Sequence, residues 1–240
     1  MEKLFTEFIL NEKVLALTTT TKLGNLAYQV DDGKGVFENR KKLCDILNID
    51  TNQLILTHQS HSSVIKEVTS FDKGKGEHSF ESGIDADGFY TKSKDIAIGI
   101  FHADCVPIFF YDKAKDIIGI IHSGFKGTIK HACKSMLLTY FEEQYASIDE
   151  ISFVIGPSRR TESFEIDDNT FSLIKEAKLE KYVIQSRFDM VSVIIDDLIS
   201  LGAKKEQIFD SHIDNVKNEI YYSAYKKKPV GRMASLIKFK

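Results

Sequence analysis

The chain of 240 residues has no tryptophan, only three prolines and only three cysteines, and each shortage excludes something. Three cysteines are too sparse and too odd a set for a disulfide framework, so reduced thiols in a cytoplasmic setting are expected. Few prolines, with no Pro/Gly-rich linker, internal repeat or low-complexity tract, argue for one domain over residues 1–240. No apolar run approaches the roughly 20 residues that a membrane span needs. The stretch MEKLFTEFILNEKVLAL threads acids and lysines through its apolar residues, so it does not read as a signal peptide. Charge of one sign is scarce too. Against 35 acidic side chains stand 32 basic ones, and the resulting −3 offers no global field for nucleic acid or an anionic membrane.

What remains is a globular composition long enough to bury a core. TEFILNEKVLALTTT reads as two strands around an Asn11-Glu12-Lys13 turn. GVFENRKKLCDILNI spaces Val36, Phe37, Leu43, Cys44 and Leu47 as a helix does. QLILTHQ, DIAIGIF, VPIFFYD, IIGII and EISFVIGP are short β-rich runs. GTIKHACKSMLLTYFEEQ reads as one helix with Thr128 as its N-cap. DDNTFSLIKEAKL and FDMVSVIIDDLISLG are two more helices, the latter closed by Gly202. Strands outnumber helices but interleave with them, and VPIFFYD and IIGII flank the charged turn KAKD. The expected class is a mixed-sheet α/β sandwich.

That hairpin gives the cysteine in FHADCVPIFFYD a neighbour. Pairing Val106–Tyr111 with Ile117–Ile121 sets Cys105 opposite His122, with Cβ atoms about 5 Å apart. The separation suits two ligands of one zinc ion. A third could come from His58 or His61 in THQSHSSV, or from His102. Cys44 and Cys133 fall on apolar helix faces and read as core, while His78 and His131 read as solvated. HSGFKGT leads into a helix start, a place for an anion, with Lys126 adding charge.

The blocks QSHSSV, DADGFYT, FHADCVPIFFYD, IGIIHSGFKGT, FVIGPSRRTESFEID and IYYSAYKKKPVGRMASLI together resemble, in order, the YfiH-like family. Its members are also called laccase-domain or multicopper polyphenol oxidase proteins, and zinc-dependent purine nucleoside phosphorylases. The resemblance implies an α/β sandwich and a metal site of His61, Cys105 and His122, with a fourth position open. The implied cofactor is zinc, with copper a metal it could also take up in vitro. The implied reactions are phosphorolysis of purine nucleosides, methylthioadenosine included, and deamination of adenosine, so the partners are a nucleoside and phosphate. Some relatives edit peptidoglycan precursors. The chain departs from the family pattern in places. No Arg-Gly-Gly-x-Ser stretch precedes LGN, Phe125-Lys126 replaces a tryptophan-arginine pair, and DSHID lacks a cysteine, whereas Gly231-Arg232 is kept.

Two further roles follow for the reaction. Asp104, beside the ligand Cys105, is a candidate to orient His61 or His122 or to move a proton, and Lys126 and Arg232 are candidate anion contacts. A competing class is a hydrolase with Cys105 as nucleophile activated by His122. Copper oxidation of phenols ranks lower, because one three-ligand site cannot supply a four-copper relay.

Overall fold

The computed structural model describes residues 3–30, 33, 35–226 and 228–240. Two six-stranded mixed sheets face each other, with helices on their outer sides. Numbered along the chain, the first sheet runs β1 (Phe5–Phe8), β2 (Val14–Thr19), β14 (Met233–Phe239), β7 (Ala97–His102), β3 (Leu54–His58) and β5 (Ile84–Asp85). The second runs β13 (Ile208–Asp210), β10 (Ile151–Ile155), β8 (Val106–Asp112), β9 (Ile117–Ser123), β6 (Gly88–Thr91) and β4 (Ile65–Glu67). A small ribbon pairs β11 (Val183–Ile184) with β12 (Arg187–Phe188).

The layering follows from side-chain alternation. Along β8, Phe109 and Tyr111 point between the sheets and meet Ile98, Ile100 and Ile237 of the first sheet in one core. Val106, Ile108 and Phe110 point the other way, beneath the helices α3 (Ala132–Gln144) and α5 (Met190–Ser200). On the outer side of the first sheet, α1 (Val36–Leu47) packs Leu43, Cys44 and Leu47 against Leu54, Leu56 and Phe101. Helix α4 (Asp168–Glu176) starts at Asp167, whose carboxylate accepts from the Thr170 N–H at 2.8 Å. Gly202, with φ of +107°, follows the end of α5 as expected.

Two local expectations need correction. The helix of GTIKHACKSMLLTYFEEQ breaks into α2 (Phe125–Thr128) and α3, because His131 adopts φ of +54° and caps the second piece. Thr128 is therefore a buried helix end, its hydroxyl bonded to Ser123 at 2.8 Å, and His131 is an ion-pair partner of Asp197 at 2.7 Å. The β8–β9 register also differs: Pro107 faces His122 and Val106 faces Ser123. The strand takes in Asp112, whose buried carboxylate accepts the Tyr140 hydroxyl at 2.7 Å and the Lys115 N–H at 3.0 Å.

Candidate metal centre

The chain crosses from the first sheet to the second between β7 and β8, through Ala103, Asp104 and Cys105. Asp104 makes the corner with φ of +87°, a left-handed backbone that a non-glycine residue adopts only when its surroundings hold it there. Its carboxylate is fully engaged, accepting from Asn215 Nδ2 and from the Tyr225 N–H, each at 2.9 Å. The corner lets Cys105 swing toward His122 although the register does not pair them.

Three side chains converge at this corner. The ligand atoms of His61, Cys105 and His122 all lie within 4.8 Å of one another, the one such cluster among the described residues. Cys105 Sγ is 3.8 Å from His61 Nε2, close to the ~3.6 Å that tetrahedral zinc–sulfur and zinc–nitrogen bonds impose. His61 sits on the loop that leaves β3 for β4, with φ of +62°, and His122 is buried within β9. Gly124 completes the space: a Cβ there would stand 2.7 Å from His61 Cδ2 and 2.8 Å from Cys105 Sγ. Only a residue without a side chain fits.

The residue that organises the cluster is Asp87, which lies inside DADGFYT but carried no role in the sequence reading. Its carboxylate is wholly buried. One oxygen accepts from His122 Nδ1 at 2.9 Å and from the His61 N–H at 3.0 Å. The other accepts from the backbone N–H groups of Ser60 and Ser62 and from the Ser62 hydroxyl. Because Nδ1 of His122 donates to Asp87, Nε2 is left as its metal-facing atom. The acceptor behind His122 is thus Asp87, and Asp104 instead ties down the 215 and 225 loops. The signal was available in principle: a short acid just before a strand, in a block already singled out.

The charges of the cluster support one another. Burial pushes the Cys105 thiol up, yet His122 and His61 outweigh it and bring it down to about 6. Burial likewise lowers His122, while Cys105 and Asp87 lift it to about 9. Asp87 is raised by burial but carried down to about 2 by His122 and Ser62. The other thiols behave oppositely. Burial raises Cys133 and pushes Cys44 up to about 12, as fits core packing.

A cleft of about 450 Å³ opens onto the cluster, lined among others by Gln29, Phe80, Phe101, His102 and Arg232, a volume suited to a small-molecule ligand. The expected anion contact Arg232 lines it, and no carboxylate pairs with its guanidinium among the described residues; Nη1 donates only to the Gly231 carbonyl. Lys126 does not line it: Phe125 packs into an aromatic cluster with Phe164 and Phe188, and Lys126 faces solvent. Neither alternative third ligand belongs to the cluster. His58 Nδ1 is bonded to Asp85, and His102 Nε2 to the Ser235 hydroxyl at 2.8 Å, burial holding His102 down to about 3 and therefore neutral.

Residues 18–240 match the family model described as multi-copper polyphenol oxidoreductase laccase. The purine nucleoside phosphorylase YlmD of Bacillus subtilis (strain 168) is 30% identical over 220 residues, 88% of this chain and 79% of the relative. The adenosine deaminase RL5, from an unknown prokaryotic organism, is 29% identical over 210 residues, 82% and 79% of the two chains. The crystal structure of the hypothetical protein YfiH of Bacillus licheniformis aligns with a TM-score of 0.86 at 27% identity, covering 95% of this chain and 93% of its own.

Proposed function

The chain belongs to the multi-copper polyphenol oxidoreductase laccase family, and from that premise we propose that it is a zinc-dependent purine nucleoside phosphorylase that also deaminates adenosine. The observation that carries the reading is a cluster of His61, Cys105 and His122 opening into a cleft lined by Arg232, whose guanidinium pairs with no carboxylate among the described residues. Three protein ligands with room for a fourth are the pattern of a catalytic rather than a structural zinc site. Zinc held by His61, Cys105 and His122 would supply Lewis-acid polarisation at this end of the cleft.

The chain's own residues do the rest. Asp87 fixes the ring of His122 and the backbone of His61, so that both imidazoles are presented without rearrangement. Arg232 offers a fixed cation to phosphate, whose attack on the ribose carbon releases the base. The buried walls of Phe101 and His102 keep bulk water from one side of the reacting centre. Four-copper oxidase chemistry would need further ligand clusters, and the described residues hold one.

A second reading has its own support: Cys105, brought down to about 6 beside the His122–Asp87 pair, is arranged as a hydrolase nucleophile. One experiment separates the two. Adenosine, inosine, guanosine and methylthioadenosine are incubated with zinc-loaded protein, with and without phosphate, and the products are resolved by chromatography. Adenine and ribose-1-phosphate are expected from adenosine with phosphate, and inosine without it, both activities being lost on chelation. No product from any of the four sinks the purine reading. Activity on amide bonds that survives chelation and dies with thiol alkylation establishes the hydrolase.

A further inference from the structure

Among the described residues, the cleft beside the candidate metal cluster is lined by one arginine, Arg232, and two phenylalanines, Phe80 and Phe101. The rings are not equivalent. Phe101 is 2% exposed, and the buried Arg40 guanidinium already lies 5.2 Å from its centroid. Phe80 is half-buried, on the loop between β4 and β5, and lines the cleft. Its ring packs at 66° against the His58 imidazole, with centroids 4.3 Å apart. His58 is itself pinned to Asp85. The loop is anchored as well, since Arg40 donates to the carbonyls of Gly76 and Glu77, and the Tyr28 hydroxyl to that of Glu77. Phe80 is therefore a braced aromatic wall beside the metal cluster.

The polar groups nearby divide in the same way. Gln59 has no hydrogen-bonding capacity to spare along its backbone-facing edge, because its amide holds both the N–H and the carbonyl of Phe101. Gln29 lines the cleft, is exposed, and has no hydrogen-bond partner among the described residues. A free amide presents a donor and an acceptor side by side, as the edge of a purine does.

Resting on the purine nucleoside reading, we infer that Phe80 is a base-binding residue: its ring stacks on the base, and the Gln29 amide meets the base edge. Stacking places the apolar face of the ligand against Phe80 and leaves Arg232 for the anion. It also makes recognition tolerant of which purine is bound, because every base has a π-face.

The absence of tryptophan from the chain supplies the test. Phe80→Trp would carry its only tryptophan, at the cleft wall. Adenosine added to this variant should quench the emission saturably, whereas ribose and inorganic phosphate should leave it unchanged. In turnover, Phe80→Leu should raise the KM for adenosine roughly 10-fold or more with the KM for phosphate and the zinc content unchanged, and Phe80→Tyr should keep the parent's KM. An adenosine KM unchanged in Phe80→Leu, or quenching by ribose equal to that by adenosine, overturns the assignment while leaving the phosphorylase reading intact. Saturable quenching by adenosine in a protein that turns over no nucleoside would sustain the stacking site and remove the reaction. If Phe80→Trp does not fold, the Leu and Tyr kinetics decide alone.

Discussion

The Asp87 carboxylate accepts from four residues at once: His122 and His61 on one oxygen, Ser60 and Ser62 on the other. An asparagine there keeps the shape but turns an N–H group toward one of these donors, so part of the ligand cradle loses its acceptor. Asp87→Asn should lower zinc affinity by about 10- to 100-fold, read by competition with a chromogenic chelator; parent-like affinity would show that the ligands hold themselves. Gly124→Ala tests the same cradle from the other side. Its new Cβ falls under 3 Å from both His61 and Cys105, so zinc per chain should drop well below one. Gly127→Ala, whose nearest neighbour is 3.3 Å away, serves as the comparison and should keep its metal. Equal zinc in the two variants would mean that the cluster yields freely.

Among the elements, the strands that sequence pattern made legible are those with a clear apolar run bounded by charge: β7, β8, β9 and β10 all stand where the runs do. Strands β14 and β6 were not readable. Met233–Phe239 is a central strand whose residues are buried on both faces, so no alternation marks it, and Gly88–Thr91 is too short to show a period. The break at His131 was hidden for a different reason: apolar spacing continues through it, and a left-handed histidine leaves no compositional trace. The register was not legible because the ladder runs one residue past the apolar run, Asp112 facing Ile117, and a buried carboxylate held by the Tyr140 hydroxyl, 28 residues away, leaves no trace in the local pattern. His61, Cys105 and His122, by contrast, were named from motif blocks alone, and the structure brings their side chains together although Cys105 and His122 are not paired in the register. Tyr140→Phe should cost about 1–3 kcal/mol by leaving that buried carboxylate short of a donor. Zinc content should not change, since β8 separates Asp112 from the metal end by roughly 20 Å. Unaltered denaturant midpoints would show that the bond contributes nothing net.

At the scale of the whole molecule, the candidate ligands are shared between layers: His61 follows a strand of the first sheet, His122 belongs to the second, and Cys105 lies on the segment that joins them. An ion bound only by the folded chain stabilises by mass action, about 2.7 kcal/mol at a free concentration 100 times its Kd. For a chain of this size that corresponds to a rise in Tm of roughly 5–10 °C. Scanning calorimetry before and after dialysis against chelator, followed by zinc, should recover the difference reversibly, and an unchanged Tm would mean that no such site is filled.

The crossover at Asp104 gives this stabilisation a direction. A clasp closed across two layers resists their parting rather than the fraying of either one. Metal loss and separation of the sheets should then be a single kinetic event, with slow zinc release setting the rate at which the intersheet core admits solvent. Amide exchange in β3 and in β9 should therefore slow together when zinc is added, while the outer helix α4 stays as it was. Protection gained in β9 alone would place the ion on one sheet and leave the other free to move.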